Sequence, residues 1–323
     1  MTYPTGWDGP GYFAAQLLPE KVPTDWKAPV GKPGIVPPRP LQFGDILGGA
    51  FHAVRAAPTT MFGLTLVVVL VVQLIAVGLG FALGNEFGPS IATSEEGYGL
   101  GSVVSWTTIA STLATSLTSF VVGIGLMHAV HRAVQGHRTS PAEALRHVGA
   151  RLWPTFTLSV LTGTGVLALA GMVVVPMILG NDPSISLGAL MILPALVVGA
   201  WLGIKLLLAP CVVALEGVGP LRAIRRSWTL SRGMFWRLAG IYIGSSLIIS
   251  IAAGTVSSVF SLGAGLLAAD NFELAMVGFS VASTLTSSVL SLPLTYGVLT
   301  LLYVDARIRR EGYDLQLSEA LYG

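Results

Sequence analysis

The chain has 323 residues, of which 53% are hydrophobic and only 11% charged, with a net charge of +2 and a mean hydropathy of +0.74. A soluble domain carries about 25% charged residues, so a soluble fold of this length is excluded and the surplus apolar surface must face lipid. The single cysteine, Cys211, rules out an intrachain disulfide and points to no metal cluster.

Residues 1–40 hold nine of the 19 prolines together with Tyr3, Trp7, Tyr12, Phe13 and Trp26. Such a segment is expected to be a disordered tail, its aromatics leaving a partner-binding use open. It contains no continuous apolar core, so a cleavable signal peptide is not expected. Six apolar stretches follow, at approximately 61–83, 101–131, 153–179, 187–215, 236–268 and 274–303. Each reaches the roughly 20 residues that cross a hydrocarbon layer.

The connecting segments 84–100, 180–186 and 269–273 carry acidic residues and no Lys or Arg. Seventeen of the 18 basic residues fall on the other side, Lys205 being the exception within the fourth stretch. Basic residues stay on the cytoplasmic side, so both termini are expected to be cytoplasmic, in a bacterial cytoplasmic membrane.

The densest basic run is EGVGPLRAIRRSWTLSRGMFWRL at 216–238. On a helix, Leu221, Ile224 and Trp228 share one face, with Arg222 and Arg226 on a flank about 120° away. Such a helix lies in the membrane surface, its apolar side among acyl chains and its arginines at anionic head groups. Topology alone would also account for these arginines. Related patterns at 45–64 and 143–158, each a basic segment running through an aromatic into an apolar stretch, imply a unit used three times. That gives an all-α protein with six spans in three parallel repeats of an interfacial helix plus a two-span hairpin. The repeats fall at approximately 41–139, 140–218 and 219–310, making 41–310 one membrane domain, with 311–323 a cytoplasmic C-terminal tail.

The stretch LEGVGPLRAIRRSWTLSRGMFWRL, with LLYVDARIRREGYDL at 301–315, resembles the membrane domain associated with glycerophosphoryl diester phosphodiesterases, in its actinobacterial form. The resemblance covers roughly residues 35–315. It rests on the run P-L-x-A-x-x-x-S-W and the terminal Y-x-D-x-R-x-R-x-E-G. It implies a helical membrane domain and no activity, because in the family's namesakes a separate barrel carries the hydrolytic residues.

Several residues are candidates for chemistry. Lys205 is a cation inside a span, which costs at least about 2.5 kcal/mol and marks either a polar cavity or a side chain that snorkels or makes a structural hydrogen bond. His128 and His131, at i and i+3, lack a third ligand for a metal. Asp305, Arg307, Arg309 and Glu311 are spaced for i, i+4 ion pairs. Hydroxyl stripes at Ser105, Thr108, Thr112, Thr115 and Ser119, and at Ser280, Ser283 or Thr284, Ser287 and Ser291, serve helix packing or line a cavity. If spans two, four and six surround one centre, Lys205 belongs in it. Gly80/Gly84 and Gly240/Gly244 fit close helix contacts.

No catalytic motif occurs, so an enzyme is not expected, nor are a cofactor, a metal or nucleic acid as partner. The binding residues to test are Lys205, Arg222, Arg225, Arg226, Arg232 and His128. The expected partners are anionic lipid head groups and another membrane or envelope component. A small transporter or lipid translocator with a polar centre near Lys205 is the competing expectation.

Overall fold

The computed structural model describes residues 40–87, 101–137, 139–179, 187–267 and 272–313. All regular structure among them is helical: α1 (Phe43–Ala56), α2 (Leu64–Phe87), α3 (Gly101–Val134), α4 (Pro141–Leu179), α5 (Leu187–Leu206), α6 (Pro220–Leu230), α7 (Phe235–Leu267) and α8 (Phe272–Glu311). Six of them, α2, α3, α4, α5, α7 and α8, are long and apolar enough to cross a membrane, which makes the chain an all-α multi-pass membrane protein. The Pro-rich stretch up to residue 39, the acidic connections at 88–100, 180–186 and 268–271, and residues 314–323 lie outside the described residues.

Hairpins α2–α3, α4–α5 and α7–α8 build the bundle, and α8 also packs on α1, α2 and α3. Small residues set the close crossings. A Cβ on Gly80 would meet the Thr107 backbone at 2.6 Å, and one on Gly297 would meet the Ala50 Cβ at 3.0 Å. The expected contact at Gly80 is therefore real; Gly240 faces open space and Gly244 meets only the Phe43 ring.

The fully buried apolar side chains gather at the end where α1 and α6 lie. They include Leu41, Ile46, Leu208, Cys211, Val212, Val213, Leu301, Leu302 and Tyr303. The chain reaches this core from α5 by a break. The ring of Pro210 clashes with a continuing helix at the carbonyl four residues earlier, and α5 ends at Leu206. A short turn and a π-helical turn at Val212–Glu216 follow, then Gly217 in the left-handed region (φ 70°), and Pro220 opens α6.

Of the short helix expected before each hairpin, one is found in the first and the last unit only. α1 precedes α2, separated by the break at Ala57–Pro58, and α6 precedes α7, separated by Gly233 (φ 73°). In the middle unit the basic segment is simply the start of α4, which runs unbroken through Pro154. No positive-φ glycine lies there to turn the chain. A separate interfacial helix is thus absent from that unit.

Candidate functional site

The stretches 216–238 and 301–313 converge at the basic end of the bundle. Helix α6 is built in three arcs, spaced by the roughly 100° turn per residue. Ala223, Ser227 and Leu230 are buried against the bundle, the Ser227 hydroxyl donating to the Lys205 carbonyl at 2.8 Å. Leu221 (72% exposed), half-buried Ile224 and Trp228 (37% exposed) form a second arc. Arg222, Arg225 and Arg226 form the third.

The last turns of α8 answer with charge. In Y-x-D-x-R-x-R-x-E the alternate spacing places Tyr303, Arg307 and Glu311 on one face, and Asp305 and Arg309 on another about 200° away. The first face holds α6. Tyr303 donates its hydroxyl to Glu216 at 2.6 Å. Arg226 pairs with both Glu216 and Glu311, the latter at 2.9 Å, and Arg307 Nε reaches Glu311 at 2.9 Å. Partial burial of Arg226 works against its charge, but the hydrogen bond and charge of Glu216, then the charge of Glu311, outweigh it and hold its pKa above the ordinary value.

The second face holds the start of the membrane domain. Asp305, 1% exposed, accepts the Leu41 N–H at 2.8 Å, Arg237 Nε at 3.2 Å and Arg309 Nε at 3.0 Å. Arg237 and Arg309 in turn donate to the Leu41 carbonyl. The i, i+4 pairs expected from the spacing are present, and each is part of a wider clamp.

The candidate residues divide accordingly. Arg226 is committed to two carboxylates and is a structural tie. Arg222, Arg225 and Arg232 are exposed and make no ion pair among the described residues. His128 stacks on His147 with ring centres 3.9 Å apart, its Nε2 4.0 Å from a Glu143 oxygen, so packing holds it. Among the described residues no group of three His, Cys, Asp or Glu side chains could hold a metal.

Lys205 is 9% exposed and sits beneath α6, with its amine 5.6 Å from the centre of the Trp228 ring, which packs edge-on against Trp201. It neither snorkels outside the bundle nor enters a common centre. The hydroxyl stripes do meet, in a cleft of about 590 Å³ between α3 and α8 that includes Thr115, Ser119, Ser283 and Ser287, but α5 contributes nothing to it. The centre expected from spans two, four and six is therefore a two-helix cleft without Lys205. Several hydroxyls there donate to their own helix, as Thr115 does to the Ser111 carbonyl at 2.8 Å and Ser287 to that of Ser283 at 2.7 Å.

Sequence reasoning missed the bundle-facing arc of α6, because Ala and Ser carry no hydropathy signal. It also missed Arg237 and Tyr303, whose partners lie 68 and 87 residues away. No protein-family model, curated protein or solved structure matches the chain.

Proposed function

We propose that this is a non-catalytic multi-pass protein of the bacterial cytoplasmic membrane that engages anionic lipid head groups at its inner face and serves as an accessory or scaffold for another membrane or envelope component. One observation carries the reading: α6 presents Arg222 and Arg225, exposed and without internal acidic partners among the described residues, beside the exposed apolar arc of Leu221 and Trp228. A surface helix so divided seats its apolar arc among acyl chains and its cations at phosphates, with each basic residue contributing about 1 kcal/mol. The clustering of basic residues at this end favours cytoplasmic termini. The resemblance to the membrane domain associated with glycerophosphoryl diester phosphodiesterases agrees with this reading and adds no activity. The test is the lipid that accompanies the protein when it is extracted in polymer-bounded bilayer discs. Replacing Arg222, Arg225 and Arg232 by Gln should cut the enrichment of phosphatidylglycerol over phosphatidylethanolamine severalfold. Unchanged enrichment around a folded variant would reduce these arginines to orientation signals.

The hydroxyl cleft between α3 and α8 favours a second reading, a translocator of small polar or lipid cargo. Within it Ser288 is 7% exposed. Because Cys211 is buried, a cysteine placed at Ser116 reports alone. Labelling of Ser116→Cys by a water-soluble maleimide supports a hydrated path, and protection assigns the stripes to packing.

A further inference from the structure

A second cavity, of about 320 Å³, opens between α4 and α5 and ends against Ile224 of α6. A water takes up ~30 Å³ in the liquid, so the cleft holds about ten groups of that size. It runs along α4 from Thr155 to Leu169, about 21 Å at 1.5 Å per residue, somewhat more than one leaflet of a hydrocarbon core ~30 Å thick. Its walls grade in polarity. Its hydroxyls, Thr155, Ser159 and Thr162, all lie at the end nearer α6, among Leu158, Leu161 and Leu206, with Thr155 and Thr162 donating to their own helix, and Gly165, Val166 and Leu169 lie at the far end. Two glycines make the space: a Cβ on Gly165 or Gly203 would meet nothing within 4 Å.

Two arginines stand next to residues that line the end of the cleft at α6, though neither lines it. Arg151 lies one helical turn before Thr155, its guanidinium stretched across Gly217, its Nε buried with no partner. Arg225 follows Ile224 at the border between the apolar and basic arcs of α6. Neither arginine has an ion-pair partner among the described residues. Two unpaired cations near one end of a largely apolar cleft match the charge of an anionic head group and the shape of an extended apolar chain.

We propose that the α4–α5 cleft seats one anionic phospholipid, its phosphate between Arg151 and Arg225, an ester carbonyl accepting from the Ser159 hydroxyl, and one acyl chain along Gly165 and Gly203. This deepens the head-group reading above, since it turns a general attraction into one discrete site. A zwitterionic lipid would leave the extra positive charge at the mouth uncompensated, so phosphatidylglycerol binds in preference to phosphatidylcholine.

The test is native mass spectrometry of the full chain in mild detergent, titrated with palmitoyl-oleoyl phosphatidylglycerol. Wild type should hold one copy at collision energies that strip all others. Leucine at 165 or 203 fills the cleft without meeting the backbone of a neighbour. Gly165→Leu and Gly203→Leu, scored singly and together, should weaken that one copy roughly tenfold or more, about 1.4 kcal/mol. Gly240→Leu, which also faces open space, should leave it intact. Retention of the tight lipid in the glycine variants overturns the site. So does equal retention of phosphatidylcholine, or a wild-type mass that shows a second copy of the chain lost on filling the cleft. The general reading fails separately: if the Arg222, Arg225 and Arg232 variant keeps its full phosphatidylglycerol enrichment in polymer discs, head-group engagement falls. If enrichment persists in the glycine variants while the tight copy is lost, both stand.

Discussion

Replacing Asp305 by Asn tests whether the clamp at the end of α8 holds the membrane domain together. The carboxylate is 1% exposed and receives hydrogen bonds from one backbone amide and two guanidinium groups. Hydrogen bonds to a charged group contribute ~1.5–3 kcal/mol each, and removing one partner of a buried pair costs about 3–5 kcal/mol. The arginine side chains, however, remain 33% and 31% exposed, so water recovers part of what they lose. Asparagine keeps the acceptor for Leu41 but turns an amide donor toward a guanidinium. The expected cost is about 2–3 kcal/mol for Asp305→Asn and about 3–4 kcal/mol for Asp305→Ala. Two measurements read it. The midpoint of unfolding by SDS in mixed micelles should fall for both variants. Chymotryptic cleavage at Leu41 or Phe43, which requires the clamp to open, should accelerate roughly thirtyfold for each 2 kcal/mol lost. An Asp305→Asn protein with the wild-type midpoint and cleavage rate would refute the clamp.

Gly217→Ala should cost about 1–2 kcal/mol in the same unfolding assay from the left-handed backbone, and more because its Cβ would also displace the Arg151 guanidinium; a neutral result would mean that this turn relaxes freely. A double-mutant cycle of Glu216→Gln and Arg226→Gln should show a coupling of about 1–2 kcal/mol, and additivity would remove Arg226 from the structural set. Gly80→Ala must separate α2 from α3 at Thr107 and should cost about 1–3 kcal/mol, checked by thermal unfolding in detergent. Lys205→Met should change Trp228 fluorescence and lose up to ~2 kcal/mol of cation–π attraction, while leaving maleimide labelling of Ser116→Cys unaltered; altered labelling would return Lys205 to the cleft.

The spans were legible because a stretch of 20 apolar residues has few other uses, and hydropathy needs no knowledge of packing. The pairs Asp305–Arg309 and Arg307–Glu311 were legible because helical spacing alone brings them together. Lys205 shows where this kind of reading stops. Its depth follows from its distance to the end of the stretch, but its direction depends on how α5 is rotated. That rotation is set by the break at Pro210 and by Ser227 bonding the Lys205 carbonyl, both products of how α6 docks. The hydroxyl stripes were found on the right two helices, and their meeting required the crossing of α3 and α8, where Tyr296 donates to the Ser119 carbonyl at 2.7 Å. The interfacial helix of the middle unit failed for a local reason: hydrophobic and basic patterning marks an amphipathic segment, but a turn residue decides whether it separates from the span behind it.

The five arginines of 216–238 serve two purposes, and the division follows from their position. Arg226 lies on the side of its arc nearest the bundle and Arg237 enters α7, so both reach carboxylates on α8. Arg222, Arg225 and Arg232 point away from those carboxylates. The pairing has an electrostatic consequence for the free ones. Glu216, Glu311 and Asp305 lie at the same end of the bundle and, left exposed, would offset the cations within a Debye length of about 8 Å. Tied to Arg226, Arg307, Arg237 and Arg309, they are neutralised where they stand. Arg222, Arg225 and Arg232 then add to the surface field without being offset by these carboxylates, as the proposed engagement of anionic head groups requires. On the proposed reading, freeing Glu216 and Glu311 by Arg226→Gln should lower phosphatidylglycerol enrichment in polymer discs as well as stability.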